Sequence, residues 1–563
     1  MSKPLQAQPE LQPQRWTLPL SRSVLTMLVA LWLMLIMNLP FWRAVVDGLG
    51  HLNQSSLFFL VSLPAFVFIW LYLLLSLLAW GRLTKPVLSL VLIVSAAASY
   101  FIDSYGIVID YSMLANVVQT DSAEVLDLLT WRLALWMLGL GVIPVLLLSR
   151  VQLLQRGWRR ETLAKLGSMA LLLLCMVGIV MSLYKPYASL LRNHREVRLL
   201  LVPSNVVAAV HGYLKRELSG PKQLEVVGKD AHRIQPVSST TRPRVTLLVV
   251  GETARAANFA LNGYARNTNP ELTQRDVINF TQATSCGTAT AVSVPCMFQD
   301  VGRGGYKDDM AKGRENLLDV LQRAGVQVLW RDNNSGCKDV CDRVAYEDVS
   351  HLQVDGDCSG SECYDEVLLS GLQDYLDTLD RDAVIVLHMK GSHGPAYYKR
   401  YPAAFEVFTP TCADSQLDRC SRNSILNAYD NSLVYTDHVL AAAIDLLQRN
   451  AGRLDSAMLY LSDHGESLGE SGVYLHGMPY ALAPSEQIHI PMLMWFSSGL
   501  QRSAGLDAQC MRQRTEELVS QDNLYHSVLG LMDVQTRVYR PEKDLFKNCR
   551  AGNTKAMTAL RAP

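Results

Sequence analysis

Residues Leu459–Gly477 read LYLSDHGESLGESGVYLHG. An apolar, strand-like run stops at Asp463-His464, and Glu466, Glu470 and His476 follow. Carboxylate and imidazole groups at the end of a buried strand are what a protein offers a metal ion, because the ligands must converge from rigid elements. Around this stretch, short apolar runs alternate with amphipathic ones. VTLLVV (245–250), VQVLW (326–330), AVIVLHM (383–389) and PMLMWF (491–496) are separated by segments such as ENLLDVLQRAG (315–325) and SILNAYDNSLVYTDHVLAAAIDLLQRN (424–450). Continuous apolar strands interleaved with helices predict a mostly parallel sheet covered on both faces. In open α/β sheets, sites form beyond the carboxyl ends of the strands. One strand ends at Gly251-Glu252-Thr253, another at His388 and leads into GSHGP with His393, and a third at Asp463-His464.

Two carboxylates and one imidazole, from Glu252, Asp463 and His464, leave the fourth position of a tetrahedral catalytic zinc site open. A hydroxyl placed there loses its proton more readily than in water and becomes a nucleophile. The segment TSCGTATAVSVPCMF (Thr284–Phe298) supplies two such hydroxyls on a small-residue loop, Thr288 and Thr290. The residues alone leave these two level.

The first third of the chain has another character. In a chain of 563 residues with 52 basic and 52 acidic side chains, charge is sparse before about residue 185. Apolar runs occupy Ser23–Phe41, Leu57–Trp80, Val87–Ile102, Leu133–Leu148 and Leu166–Leu183. A bilayer core of about 30 Å needs roughly 20 apolar residues as helix, so five transmembrane helices are predicted. The loop RVQLLQRGWRRETLAK (150–165) is strongly basic, whereas SYGIVIDYSMLANVVQTDSAEVLDLL (104–129) carries only acids. The positive-inside bias places the former in the cytoplasm, and five crossings put everything after Leu183 on the other side. No small-residue cleavage pattern follows the first run, which is therefore expected to stay as an anchor. A balanced net charge gives no global basic field of the kind that draws proteins to nucleic acid.

Ten of the 11 cysteines lie after residue 280, and the other, Cys175, lies in a membrane run. An even set in an oxidising compartment reads as five disulfides. Proximity pairs Cys286 with Cys296, Cys337 with Cys341, Cys358 with Cys363 and Cys412 with Cys420, leaving Cys510 and Cys549. The expected domains are a five-helix membrane domain (1–185), an amphipathic bridging segment and linker (186–242) and a catalytic domain (243–563).

Taken together, VVGETAR (249–255), SCGTATAVSVPCMF (285–298), WRDNNSGCK (330–338), GSHGPAYYKRYP (391–402) and SDHGESLGESGVYLHGMPYALAP (462–484) closely resemble the phosphoethanolamine transferases that modify lipid A. That family includes the mobile colistin-resistance enzymes and lies within the alkaline phosphatase and sulfatase superfamily. The resemblance covers the whole chain, and it implies an alkaline phosphatase/sulfatase-like α/β domain in the periplasm, carried by five helices in a Gram-negative inner membrane. It implies that Thr290 is the nucleophile and that Glu252, Thr290, Asp463 and His464 bind zinc. One ion is expected, with a second left open. His393 and His476 match family histidines that bind a second zinc or contact the phosphoryl group, and either imidazole suits proton transfer to a leaving alkoxide. Asn334, Lys338 and Glu466 match positions near the phosphate and ethanolamine, while Asn116 and Glu124 match positions near the lipid substrate.

The implied reaction is ping-pong. Thr290 takes phosphoethanolamine from phosphatidylethanolamine, releasing diacylglycerol, and a lipid A phosphate then takes it from Thr290. Such decoration lowers outer-membrane negative charge and favours polymyxin resistance. Core heptose or periplasmic glucan as acceptor, or a membrane phosphoglycerol transferase, are the alternatives. CGTAT lacks the CxPxR setting of a formylglycine sulfatase, and the intact ligand set opposes a catalytically silent membrane protein. A monomer is expected. His211, His232, His351, His438, His489 and His526 stand outside any strand-end or motif setting and receive no site role.

Overall fold

The computed structural model describes residues 18–50, 57–119, 122–155, 157–184, 187, 195–217, 223–233, 242–352, 358–359 and 362–550. The chain forms two compact units, one made of Met1–Asp103 with Trp131–Val207 and the other of Ser104–Thr130 with Ala208–Pro563.

Among the described residues of the first unit, four helices are long and apolar enough to cross a membrane: Phe58–Leu78, Gly81–Tyr105, Trp131–Arg150 and Trp158–Ser182. The first predicted span, Ser23–Phe41, departs from a straight rod. Arg22–Met37 and Leu39–Val46 meet at an angle of 59° and make one broken span when counted together. The cause is local. Pro40 cannot donate to the helix ladder, and the buried Asn38 turns its side chain across the break. Its Nδ2 donates to the carbonyls of Leu33 (2.9 Å) and Val202 (2.8 Å), and its Oδ1 accepts from the N–H of Val202 (2.8 Å).

Two sets of contacts sort the ends of the helices as the charge bias requires. At one end, Leu18–Leu20 pairs in parallel with Val151–Leu153, and Arg22 pairs with Glu161. At the other, Asp103 holds both Arg43 (2.8 Å) and Arg132 (3.7 Å). Along Trp158–Ser182 the apolar side chains point outward, Leu174 being 70% exposed and Leu163 69%. Leucines presented outward along such a helix suit a hydrocarbon solvent.

The second unit is built on an eight-stranded sheet. Its strands are β1 (Arg244–Gly251), β2 (Ile278–Thr284), β3 (Gln327–Asp332), β4 (Ala345–Asp348), β5 (Ala383–His388), β6 (Asp455–Ser462), β7 (His489–Phe496) and β8 (Leu518–Ser520). Their spatial order is β8-β2-β7-β6-β1-β5-β3-β4, and β7 alone runs against its neighbours. All residues of β5 and β6 are buried, as central strands covered on both faces must be. Val250, Leu459, Ile490, Phe280 and Trp330 share one core.

Three helices matter for the site: α1 (Tyr111–Gln119), α2 (Ser122–Leu128) and α3 (Thr290–Met297). The first two belong to Ser104–Thr130, a stretch the sequence reading assigned to the membrane segment but which counts with the sheet-containing unit, where α1 packs on α3. All five expected disulfides are formed.

Candidate metal centre and nucleophile

The register of the sheet assembles the site. β6 lies parallel to β1 with Ser462 opposite Gly251, so the residues that follow, Asp463-His464 and Glu252, leave the sheet side by side. The N–H of Asp463 donates to the carbonyl of Gly251 (2.9 Å). Gly465 must be glycine, since a Cβ there would lie 2.0 Å from the Glu486 carbonyl oxygen. Thr290 is the first residue of α3 and lies within the stretch closed by the Cys286–Cys296 disulfide. Its hydroxyl donates to Glu252 Oε2 (3.0 Å) and stands 3.3 Å from His464 Nε2.

The alternative hydroxyl is engaged elsewhere. Thr288 Oγ1 donates to the Met478 carbonyl (2.5 Å). Geometry therefore separates two threonines that the residues alone had left level.

The donor set fits a divalent cation. One ligand atom from each of Glu252, Asp463 and His464 lies within 4.8 Å of the others, and all three residues are buried. Asp463 Oδ1 accepts from the N–H groups of Thr253 (3.2 Å) and His464 (2.7 Å), while Oδ2 is buried with no hydrogen-bond partner. An unsatisfied carboxylate oxygen beside a second buried carboxylate is costly unless a cation sits between them. Burial, and then the proximity of Asp463, pushes the Glu252 carboxyl up, and burial pushes Asp463 up as well. His464 Nδ1 donates to the Gly465 carbonyl (2.9 Å), which turns the Nε2 lone pair toward Thr290 and Glu252. Burial, reinforced by His476, lowers His464 to about 4, so the imidazole is neutral as a metal requires.

The remaining expected residues fall into three groups. Asn334 reaches the cluster, its Nδ2 donating to Glu252 Oε2 (2.8 Å) and to the Met389 carbonyl (2.9 Å). The ring of His476 lies 4.3 Å from that of His464 and 5.6 Å from that of His393. His476 Nδ1 meets Glu466 Oε2 at 2.8 Å, and Tyr397 donates to Glu466 Oε1 at 2.6 Å. Burial lowers His476 to about 4 and drives His393 well below its ordinary value. Lys338 is buried, and its ammonium donates to the carbonyl and hydroxyl of Ser335 (both 2.8 Å). It lines an open groove of about 670 Å³ with Tyr213, Lys312, Ser335 and Tyr346. Asn116 is half-buried on α1. Glu124 lies on α2, and its side chain is outside the described residues.

Several supporting groups receive no role from the sequence. His388 Nδ1 meets Asp332 Oδ2 (2.9 Å), and its Nε2 stands 3.4 Å from Asn334 Nδ2. Its place at a strand end was the available signal. Asp365, fully buried, accepts from the N–H groups of Lys390 and Gly391 (2.8 Å each) and fixes the loop leading to His393. Gln521 binds the carbonyls of Ser462 (2.7 Å) and Asp463 (2.8 Å) and the N–H of Cys286 (2.6 Å), tying the end of β6 to the loop that carries Thr288 and Thr290. Nothing in its sequence setting marks it.

A mostly parallel sheet that delivers an acid, an Asp-His pair and a helix-heading hydroxyl to one edge defines the sulfatase type of α/β domain, and the sulfatase family model matches residues 244–534. A second model, described as phosphoethanolamine transferase EptA/EptB, matches residues 67–218. The chain belongs to the phosphoethanolamine transferase family. It is 41% identical over 552 residues to phosphoethanolamine transferase EptA of Escherichia coli (strain K12), covering 98% of this chain and 99% of that one. To phosphatidylethanolamine transferase Mcr-1 of Escherichia coli it is 39% identical, over 91% of this chain and 95% of that one. The solved structure of the integral membrane protein lipooligosaccharide phosphoethanolamine transferase A from Neisseria meningitidis superposes with a TM-score of 0.90 at 40% identity, covering 95% and 99% of the two chains. The protein is thus a multi-pass inner-membrane protein whose sulfatase-like domain faces the periplasm.

Proposed function

We propose that the protein transfers phosphoethanolamine from phosphatidylethanolamine to a phosphate of lipid A through a covalent intermediate on Thr290. The observation that carries this is the Thr290 hydroxyl, seated at the head of a helix against Glu252 and His464. The names of two relatives support the two substrates, one being called a phosphatidylethanolamine transferase and another a lipooligosaccharide phosphoethanolamine transferase.

Glu252, Thr290, Asp463 and His464 would hold the zinc ion. When bound, the ion supplies positive charge that favours an ionised threonine and neutralises the transferring phosphoryl group. In the first half-reaction Thr290 Oγ forms a bond to phosphorus as the bond to the diacylglycerol oxygen breaks. The proton given up by Thr290 is matched by the one the diacylglycerol oxygen takes. In the second, a lipid A phosphate oxygen gives up its proton and bonds to the same phosphorus as the bond from phosphorus to Thr290 Oγ breaks, and that proton returns to Thr290. The first helical turn of α3, which Thr290 heads, would favour the extra negative charge of both transition states at a phosphoryl group bound there.

His476 is assigned the proton transfer to the leaving oxygen, with His393 beside it. Glu466 was expected at the ethanolamine, but both of its oxygens are engaged, one by Tyr397 and one by His476. Its role is then to fix the His476 tautomer with Nε2 free to face the substrate. Glu466→Gln should lower turnover of labelled phosphatidylethanolamine about 10–100-fold, the usual cost of losing a histidine's carboxylate partner, and Tyr397→Phe should cost less. Full activity in Glu466→Gln would remove that residue from the transfer machinery.

The function itself is tested by mass spectrometry of lipid A from a Gram-negative host without its own transferases that expresses this chain. A phosphoethanolamine increment on lipid A and reduced polymyxin susceptibility are expected. The increment on core sugar or glucan in place of lipid A would overturn the acceptor. A phosphoglycerol increment would overturn the donor.

A further inference from the structure

The catalytic histidine loop is gripped at both ends. Asp365 holds the backbone at Lys390 and Gly391. At the far end Arg400 Nε donates to the carbonyl of His393 itself (3.0 Å). Arg400, only 3% exposed, lies between two carboxylates, Glu362 Oε2 at 3.1 Å and Asp127 Oδ2 at 3.3 Å. Asp127 also pairs with Lys399, and Glu362 with Lys390 Nζ (2.7 Å).

Asp127 is foreign to this loop in sequence. It sits on α2, within Ser104–Thr130, and is buried although its neighbours are not. Leu126 is 66% exposed and Leu129 62%, with Val125 exposed beside them. The same segment reaches the active-site loops at two further points. A Cβ on Gly106 would lie 2.9 Å from the Gly472 carbonyl oxygen, and one on Gly477, next to His476, would meet Met113 Sδ at 3.5 Å. α1 packs on α3, which begins with Thr290.

A buried ion network is by itself weak evidence of anything beyond structure. What distinguishes this one is its direction. The cation at its centre ends on the backbone of a site histidine, and one of its anions comes from a segment that shows apolar side chains to its surroundings.

We propose that Asp127 is a positioning residue for the transfer reaction: through Arg400 it sets the place of His393, so that the catalytic loop takes its alignment from the apolar 104–130 segment that a lipid donor would meet. The inference rests on the assignment of His393 to the transfer step. Removing the Asp127 charge leaves Arg400 paired with Glu362 alone and free to shift its hold on the His393 carbonyl. A shift of about 1 Å at such a group is enough to cost about 10²-fold in rate.

The experiment uses the full-length zinc-loaded protein in mixed detergent micelles carrying fluorescent phosphatidylethanolamine, with kcat and KM read separately. Asp127→Asn should lower kcat about 10²-fold with KM little changed, and Asp127→Glu should recover most of it. In a His393→Ala background, Asp127→Asn should cause no additional loss, because both changes act on one group. Additive losses in that background, a rise in KM alone, or unchanged turnover in Asp127→Asn would each overturn the proposal. Should Asp127→Asn fail to accumulate in the membrane, Arg400→Lys puts the same question, since it keeps the charge and removes the Nε donor. It should show the same kcat loss and the same absence of further effect beside His393→Ala. Full activity in His393→Ala would defeat the assignment of His393 and this proposal together. Loss in His393→Ala with an intact Asp127→Asn would defeat only the latter.

Discussion

Thr290→Ala should abolish transfer, with a fall of more than about 10³-fold, because removal of a nucleophile leaves only binding and electrostatic positioning to act. Thr290→Ser should keep a measurable fraction, since the hydroxyl remains at the head of α3 between Glu252 and His464. Intact-protein mass spectrometry with donor present and acceptor omitted gives the direct reading. The parent should gain one phosphoethanolamine and the alanine variant none, while diacylglycerol release stops in parallel. Diacylglycerol release that persists in Thr290→Ala would mean direct transfer without a threonine intermediate. Thr288→Ala is the natural control. That side chain is tied to Met478, so its loss should loosen the loop and reduce the rate without removing the covalent adduct.

The second large effect concerns the metal. Chelation should remove activity by more than about 10²-fold and zinc should restore it, because charge on the transferring phosphoryl group then lacks its counter-ion. Asp463→Asn is the informative variant. Its side-chain oxygen can still accept from the N–H groups of Thr253 and His464, so the local backbone is preserved, whereas the buried second oxygen and the negative charge are gone. The thermal midpoint of the parent should rise with free zinc, by an amount equivalent to about 4 kcal/mol at a thousandfold excess over Kd. Asp463→Asn should unfold at a temperature nearly independent of zinc. A variant that keeps both the zinc-dependent midpoint and the activity would remove Asp463 from the ligand set.

The parts of the site that could be read from sequence share one property: they lie where a periodic pattern ends. Glu252 and Asp463-His464 each follow a continuous apolar strand, and the rule that α/β sites sit at carboxyl ends locates them without a fold in hand. His388 satisfied the same rule and was still passed over, because its partner Asp332 lies at the end of another strand and only the β5-β3 pairing brings them together. Gln521 and Asp365 act on backbone atoms of distant segments, and side chains that bond to backbone leave no residue-type pattern to search for. The membrane half shows the complementary limit. Hydropathy located the first apolar run, but the consequence of Asn38 and Pro40 within it depended on Val202, far along the chain. The placement of Ser104–Thr130 with the sheet-containing unit was illegible for the same reason. Its amphipathic character was visible, but amphipathicity does not name the surface it will choose.

The placement of β1 beside β6 also bears on how the protein comes into being. Thr253 and Asp463 touch although they stand 210 positions apart. As the chain is threaded out of the cytoplasm from its amino end, Glu252 and Thr290 emerge long before their counterparts. With those proposed ligands, the ion site would be complete only once the strand bearing Asp463 has paired with the first. With the ligand set proposed above, metal capture would follow the pairing of β6 with β1. An exported polypeptide halted anywhere before that strand would show the outer compartment isolated, weakly binding side chains, which protects it from being locked around an ion in an immature shape.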